Sequence, residues 1–353
     1  MRILVLEPYY GGSHQSFLAG LAAHLPFVFD IRCLPARNWK WRMRFSAPYF
    51  AGILPKTREH DVVLCSTFVD VAVLRGLGPS WLHEAPILTY YHENQFVYPV
   101  QVDDKRDMHF AVTNMLTAAA SNKTAFNSFY NMDTFMAGCE DICRKIPDMK
   151  IDITASIRAK AEVLYPPVDF RDLDDALSLP PLHGKVPVIV WNHRWEHDKN
   201  PELFFETLFC LQEQQVDFNV VLLGQSFEHQ PEIFANAVAK LGNRILHVGF
   251  VQDKKEYCRW LANGDIVVST ARHEFYGIAV IEAVRAGCRP LLPDRLSYPE
   301  LFPKEFLYEE KDFLYRLKEA LHLERIGRSR GNELTGKYSW NQLSGRYKEW
   351  FSI

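Results

Sequence analysis

"DIVVSTARHEFYGIAVIEAVRAGCRP", Asp265 to Pro290, joins a short apolar run to a longer segment of helical period through a polar loop that carries a glycine. Ile266, Val267 and Val268 read as a strand buried on both faces, as in parallel sheets wrapped by helices. "GIAVIEAVRAG" reads as the helix that follows. Glu274 then falls in the loop, Gly277 near the first helical turn and Glu282 about one and a half turns further in. Free N–H groups and the dipole at a helix start attract phosphate. Carboxylates on either side accept hydrogen bonds from hydroxyls. The spacing fits a ligand built as sugar, diphosphate and ribose; without the glycine it would be a loop glutamate and an exposed helix glutamate.

The same rhythm of strand, polar turn and helix recurs along the chain. "RILVLEP" ends in "YYGGSH" and is followed by "QSFLAGLAAHL"; "DVVLCST" and "PILTYYHEN" are further short buried strands with polar ends. It restarts with "VPVIVWNHRWEHDKNP", "NVVLLGQ" and "RILHVGF". Two doubly wound α/β domains in tandem are implied, and ligands in such sheets lie beyond the carboxyl ends of the strands, often in a cleft between domains. The proline-rich stretch "RDLDDALSLPPLHGKVP" reads as the linker. The expected divisions are 1–170, 171–337 and a terminal amphipathic helix, 338–353, able to pack back on the first domain.

The chain has 353 residues, of which 48% are hydrophobic and 24% charged, with net charge -3. This describes a globular chain of two ordinary domains and excludes a disordered one. Between Ile31 and His60, however, Arg32, Arg37, Lys40, Arg42, Arg44, Lys56 and Arg58 face Glu59 alone, so charge is concentrated locally. Seven scattered cysteines read as reduced thiols and point to the cytoplasm. Cys139 and Cys143 lack the second half of a zinc site. No stretch approaches the roughly 20 apolar residues of a membrane span.

Further candidate groups follow the strands. Gly11 and Gly12 stand where backbone approaches a ligand closely, with Ser13 placed to cap the next helix; a plain tight turn reads equally well. Arg194 and Lys199 would aim two cations at one anion across a turn, against the alternative of a solvated loop. Asp172 and Asp174 match a D-x-D metal pattern by coincidence, with no strand before them. "ARNWKWRMRF" reads as a loop that interleaves Arg37, Lys40, Arg42 and Arg44 with Trp39, Trp41 and Phe45, a mixture suited to phosphates and stacked bases. The alternative is tryptophans packed under a sheet edge.

"HEFYGIAVIEA" resembles the E-x7-E signature of retaining GT-B glycosyltransferases, and its place after "NHRWEHDKNP" is similar to family four of that class. "EPYYGGSHQSF", "RNWKWRMR" and "YYHENQFVYP" resemble the tRNA-queuosine mannosyltransferase group. The resemblance spans the whole chain and implies a GT-B fold of two Rossmann-like domains, GDP-mannose as donor, and tRNA carrying queuosine as acceptor. By that pattern Arg194 and Lys199 hold the donor diphosphate, and the amides around Tyr276, Gly277 and Ile278 its distal phosphate. Glu282 takes the ribose hydroxyls and Glu274 those of the sugar. Gly11 and Gly12 close over the donor and His92 lies beside the reacting carbon. His14, Trp39, Lys40, Trp41, Arg42 and Arg44 face the acceptor. No protein nucleophile and no metal or other cofactor is implied. The residues alone leave open UDP as donor, a lipid or polysaccharide acceptor, a nucleotide-sugar epimerase, and a non-catalytic nucleotide- or tRNA-binding protein.

Overall fold

The computed structural model describes residues 1–99, 107–148, 151–179, 184, 186–225 and 231–352. It divides into two compact units, Met1–Pro167 with Trp340–Ile353, and Val168–Ser339.

The first unit holds β1 (Arg2–Tyr10), β2 (Val28–Pro35), β3 (Val62–Ser66), β4 (Ile87–Tyr91), β5 (Lys123–Phe126) and β6 (Ala161–Val163). They form one sheet in the order β2-β1-β3-β4-β5-β6, each pair parallel. Successive side chains of a strand point to opposite faces. Accordingly Ile3 and Val5 join one core with Phe17 and Leu21, while Leu4 and Leu6 join another with Phe50 and Leu74. Two covered faces are why "RILVL" is a continuous apolar run and not an alternating one.

The terminal helix Trp340–Phe351 belongs to this unit, its Trp340, Leu343, Tyr347 and Trp350 lying in the core of Ile3 and Val5. Its approach depends on Gly20, where a Cβ would stand 2.4 Å from Cζ2 of Trp340. Lys123 donates to the last-turn carbonyls of Trp350 (3.0 Å) and Ser352 (2.8 Å), a cation placed at the negative end of the helix.

The second unit holds β7 (Val188–Asn192), β8 (Asn219–Leu223), β9 (Ile245–Gly249), β10 (Ile266–Val268), β11 (Arg289–Pro293) and β12 (Leu307–Tyr308) in the order β12-β11-β10-β7-β8-β9, again parallel throughout. Its core gathers Ile189, Trp191, Phe204, Phe205, Val220 and Phe234.

Three local expectations differ from the structure. The stretch read as a linker opens with a helix, Arg171–Ala176, because Asp174 makes two bonds to Arg285, at 2.8 and 2.6 Å, and Leu173 is buried; residues 180–183 and 185 of that stretch lie outside the described residues. The tryptophan-rich segment is the helix Trp39–Ile53 and not a loop, since Met43, Ser46, Ala47 and Phe50 recur at helical spacing and are all buried. Ser13 makes no capping bond: Gly11 occupies the cap position in extended conformation, and Gly12 already lies in the helix. Among the described residues no helix is long and apolar enough to cross a membrane, and no group of three or more His, Cys, Asp or Glu is arranged to hold a metal ion.

Candidate active site

In the first unit the carboxyl ends of β1, β3 and β4 bring together Glu7, Ser66, Thr67, His92 and Glu93, and the helix Gly12–His24 adds His14. His14 is clamped between two carboxylates, Nδ1 at 3.0 Å from Glu7 Oε2 and Nε2 at 3.3 Å from Glu93 Oε2. The clamp is itself fixed: Glu7 Oε1 accepts from the Tyr9 amide (2.8 Å) and the Ser66 hydroxyl (3.2 Å), and Glu93 Oε1 from Thr67 (2.8 Å). Burial opposes a charge on His14, but the carboxylates of Glu7 and Glu93 outweigh it and raise its pKa to about 10. His14 is therefore an imidazolium at neutral pH.

His92 lies against it, ring centroids 4.1 Å apart, with Phe17 and Tyr90 packed at 5.0 and 4.7 Å. Burial first and the His14 cation second hold His92 well below the ordinary histidine range, so it is neutral. His14, expected at the acceptor, is thus buried and committed to its two carboxylates. Sequence reasoning found His92 and His14 but not Glu7 and Glu93. The available signal was their position, each a carboxylate one or two residues past a buried apolar run.

Gly11 and Gly12 stand at the same end of β1. A Cβ on Gly11 would lie 2.6 Å from Cβ of Ala36, so that glycine answers a close backbone approach. Gly12 has φ +53 with open space around it.

In the second unit the loops after β7 and β10 carry the cationic and acidic groups. Lys199 is buried, and its ammonium meets three oxygens: His273 O at 2.7 Å, Asp198 Oδ2 at 3.2 Å and Glu274 Oε2 at 3.3 Å. An ammonium has three N–H donors, so all are occupied. Burial works against the Glu274 carboxylate, yet Lys199 chiefly, with help from His193 and the Tyr276 amide, lowers its pKa to about 2. The Tyr276 amide, expected at a phosphate, donates instead to Glu274 Oε1 at 3.3 Å. Arg194 is half exposed and pairs with Glu196 at 3.0 Å.

The loop holding Arg194 and Lys199 is set by Gly224 at the end of β8. There φ is +137, and a Cβ would fall 1.8 Å from the His193 carbonyl oxygen; the Trp195 amide then donates to Gln225 O at 3.1 Å. His193 is buried, which together with Lys199 lowers its pKa to about 4. Its Nε2 faces the Val268 carbonyl at 3.2 Å, which fixes the proton on Nε2 because a carbonyl can only accept.

Gly277, with φ +105, begins the helix Ile278–Arg285, whose first amides have no side-chain cap. Tyr298 backs this turn: its ring would meet a Cβ on Gly277 at 3.3 Å, its hydroxyl bonds Ser269 Oγ at 2.7 Å, and neighbouring Ser297 donates to Tyr276 O at 2.8 Å. Glu282 is buried on the same helix, where Tyr257 donates to Oε2 at 2.6 Å and Lys254 pairs with Oε1. Asn192 at the end of β7 donates to the Tyr257 hydroxyl at 2.8 Å. Lys254 and Tyr257 were not foreseen, although "QDKKEY" follows a strand just as the other site segments do. Glu274 and Glu282 thus flank an uncapped helix start inside one unit, with a cation beside each.

Residues 2–168 match the family described as tRNA-queuosine alpha-mannosyltransferase N-terminal, and residues 180–323 match Glycosyl transferases group 1. A tRNA-queuosine alpha-mannosyltransferase of Drosophila melanogaster is 36% identical over 98% of this chain and 93% of its own. Among solved structures, sucrose-phosphate synthase from Thermosynechococcus elongatus has a TM-score of 0.71 at 15% identity, covering 100% of both chains. Anabaena HepE in complex with UDP and glucose has a TM-score of 0.70 at 12% identity, covering 99% of this chain and 98% of that one. Those two likenesses establish the shared GT-B fold, two parallel six-stranded sheets flanked by helices. With its amino-terminal and transferase regions both matched, and a relative alike along nearly its full length, the chain belongs to the tRNA-queuosine alpha-mannosyltransferase family of GT-B glycosyltransferases.

Proposed function

We propose that this protein transfers mannose from GDP-mannose to queuosine in tRNA, with retention at the anomeric carbon, in the cytoplasm and without a divalent metal. The observation that carries the reading is the 36% identity along nearly the whole chain to a tRNA-queuosine alpha-mannosyltransferase. The free state of all seven cysteines fits a reducing compartment.

The geometry of the second unit supports an assignment of donor residues. The uncapped amides of the Ile278–Arg285 helix and the half-exposed Arg194 take the diphosphate, and Glu282 accepts from the ribose hydroxyls. Lys199 enters by exchange. Its longest contact is with Glu274, at 3.3 Å, so a phosphate oxygen that takes over that N–H frees a Glu274 carboxylate oxygen for the sugar hydroxyls. One substitution thereby gives both groups their roles.

The bond from the anomeric carbon to the phosphate oxygen breaks, and the acceptor oxygen bonds that carbon on the same face. The departing phosphate takes the acceptor's proton. Donors fixed around the leaving diphosphate stabilise the charge that develops there, each typically worth a few kcal/mol where water is excluded. Within the first unit His92 stays neutral, held so by burial and by the charged His14.

The test is to incubate the purified protein with queuosine-containing tRNA and GDP-mannose in the presence of EDTA, digest the RNA and weigh the nucleosides. A gain of one hexose on queuosine supports donor class, acceptor and metal independence together. Absence of that gain with and without added Mg²⁺ or Mn²⁺ overturns the assignment. A gain that requires the metal overturns metal independence alone.

A further inference from the structure

The helix Trp39–Ile53 buries one face and leaves another uncovered. Inward, Met43 packs with Phe68 and Phe110, joined by Trp39 and Tyr9, and Ser46 donates to Phe68 O at 2.6 Å. Phe68 in turn stacks on Tyr9 at 5.1 Å and meets the His14 ring edge-on at 5.8 Å. The helix is therefore fixed to the His14 and His92 cluster through two layers of rings.

Outward, Trp41, Phe45 and Tyr49 follow one another four residues apart and are 66%, 56% and 48% exposed. The rings of Trp41 and Phe45 lie 5.6 Å apart, and a shallow groove of about 360 Å³ runs beside them, lined by Leu34, Trp41, Arg42, Phe45, Ser46 and Tyr49. Three large aromatic groups in a row on an exposed helix are costly in water and mark a contact surface. At about 1.5 Å of rise per residue, such rings repeat every ~6 Å. That is nearly twice the ~3.4 Å between successive nucleotides of a duplex strand, so the row suits bases splayed from a loop and not a stacked helix.

Charge selects the occupant. The row is flanked by exposed Arg37 and Lys40 and by Arg42, within a stretch of seven cations and one acidic residue from Ile31 to His60. A second copy of this chain docked here about a two-fold axis would set that positive stretch against itself. A polyanion with flat apolar groups meets both features.

We propose that the Trp41, Phe45 and Tyr49 face stacks unpaired bases of the acceptor's RNA loop while Arg37, Lys40 and Arg42 contact the flanking phosphates. The proposal rests on the tRNA reading above and changes its details. Trp39, expected at the RNA, packs inward on Phe110 at 5.2 Å. Arg44 is engaged by Asp107 at 2.6 Å and lies over the Phe110 ring, so it braces the helix.

The test measures the Kd of full-length protein for a fluorescent anticodon stem-loop RNA across a salt series, with sedimentation of the same samples. W41A/F45A/Y49A, at exposed positions, is expected to weaken binding roughly 100-fold or more with an unchanged salt slope, since base stacking contributes about fivefold or more per ring. R37A/K40A is expected to weaken binding and lower the log–log salt slope by about 2. Melting temperatures of both variants should match the parent protein. If the parent binds and glycosylates tRNA and the aromatic variant binds equally well, this surface assignment fails while the acceptor reading stands. A parent that binds no RNA overturns both. A parent dimer that becomes monomeric in the aromatic variant, with RNA affinity unchanged, assigns the row to a second copy and overturns the proposal.

Discussion

The Glu7, His14 and Glu93 clamp makes a quantitative prediction. Replacing both carboxylates by amides, E7Q/E93Q, keeps side-chain size and removes the two charges that hold His14 protonated. With only burial left to act, His14 should lose its proton well before neutral pH. In the parent its pKa is raised from 6.5 to about 10, a difference of about 3.5 units and so on the order of 5 kcal/mol as an upper bound.

A folded-state pKa above the unfolded value stabilises the protein fully below pH ~6.5, and that contribution is lost as pH rises through ~10. The parent's unfolding free energy should therefore decline across that window by up to ~1.4 kcal/mol per pH unit, and the double variant's should be flatter. His92 reports the same event. At the 4.1 Å ring separation the His14 cation disfavours a charge on His92 and adds to burial in holding its pKa down. Removing the cation should raise the His92 pKa, with burial still holding it down. The assay is ¹⁵N NMR of histidine-labelled protein across pH, with urea unfolding in parallel. A parent in which no imidazole remains protonated at pH 8.5, or a double variant that keeps the parent's pH slope, would refute the reasoning.

Other expectations are read more directly. K199M leaves the Asp198 and Glu274 carboxylates buried side by side without their cation, which should cost about 3–5 kcal/mol in urea unfolding near neutral pH and abolish transfer. Because the Glu274 pKa is lowered from 4.5 to about 2, the parent's own acid lability should appear as pH falls through that interval, and K199M should lose this feature. G224A forces a Cβ to within 1.8 Å of the His193 carbonyl at φ +137, so the loop bearing Arg194 and Lys199 must move; donor binding should fall at least tenfold by calorimetry even where the protein still folds. E282A, which strands Lys254 and the Tyr257 hydroxyl, should raise the donor Kd about 10- to 100-fold and leave RNA affinity unchanged; unaltered donor affinity would remove Glu282 from the site.

The sequence by itself made seven of the twelve described strands legible, β1, β3, β4, β7, β8, β9 and β10, but not β2, β5, β6, β11 and β12 or the order of strands within each sheet. Runs such as "RILVL" and "VPVIVW" are apolar on both faces, and that pattern allows only a covered parallel sheet. It also located Glu274, Gly277 and Glu282, because a helix start after a strand is a local feature and its residues are neighbours in the chain. The partners of these groups were not legible. His14 meets Glu7 of β1 and Glu93 beyond β4, and Glu282 meets Lys254 and Tyr257 from another helix, pairings that exist once distant strand ends are brought to one edge.

The tryptophan-rich segment shows the same division. Composition marked it as basic and aromatic, and hence suited to RNA. Which rings face outward depends on which face of the helix the protein buries, and that was fixed by Phe68 and Phe110, far away in sequence. Tertiary packing turned Trp39 inward and left Trp41, Phe45 and Tyr49 exposed, because a helix can bury only one stripe and the sheet beneath it selects the stripe.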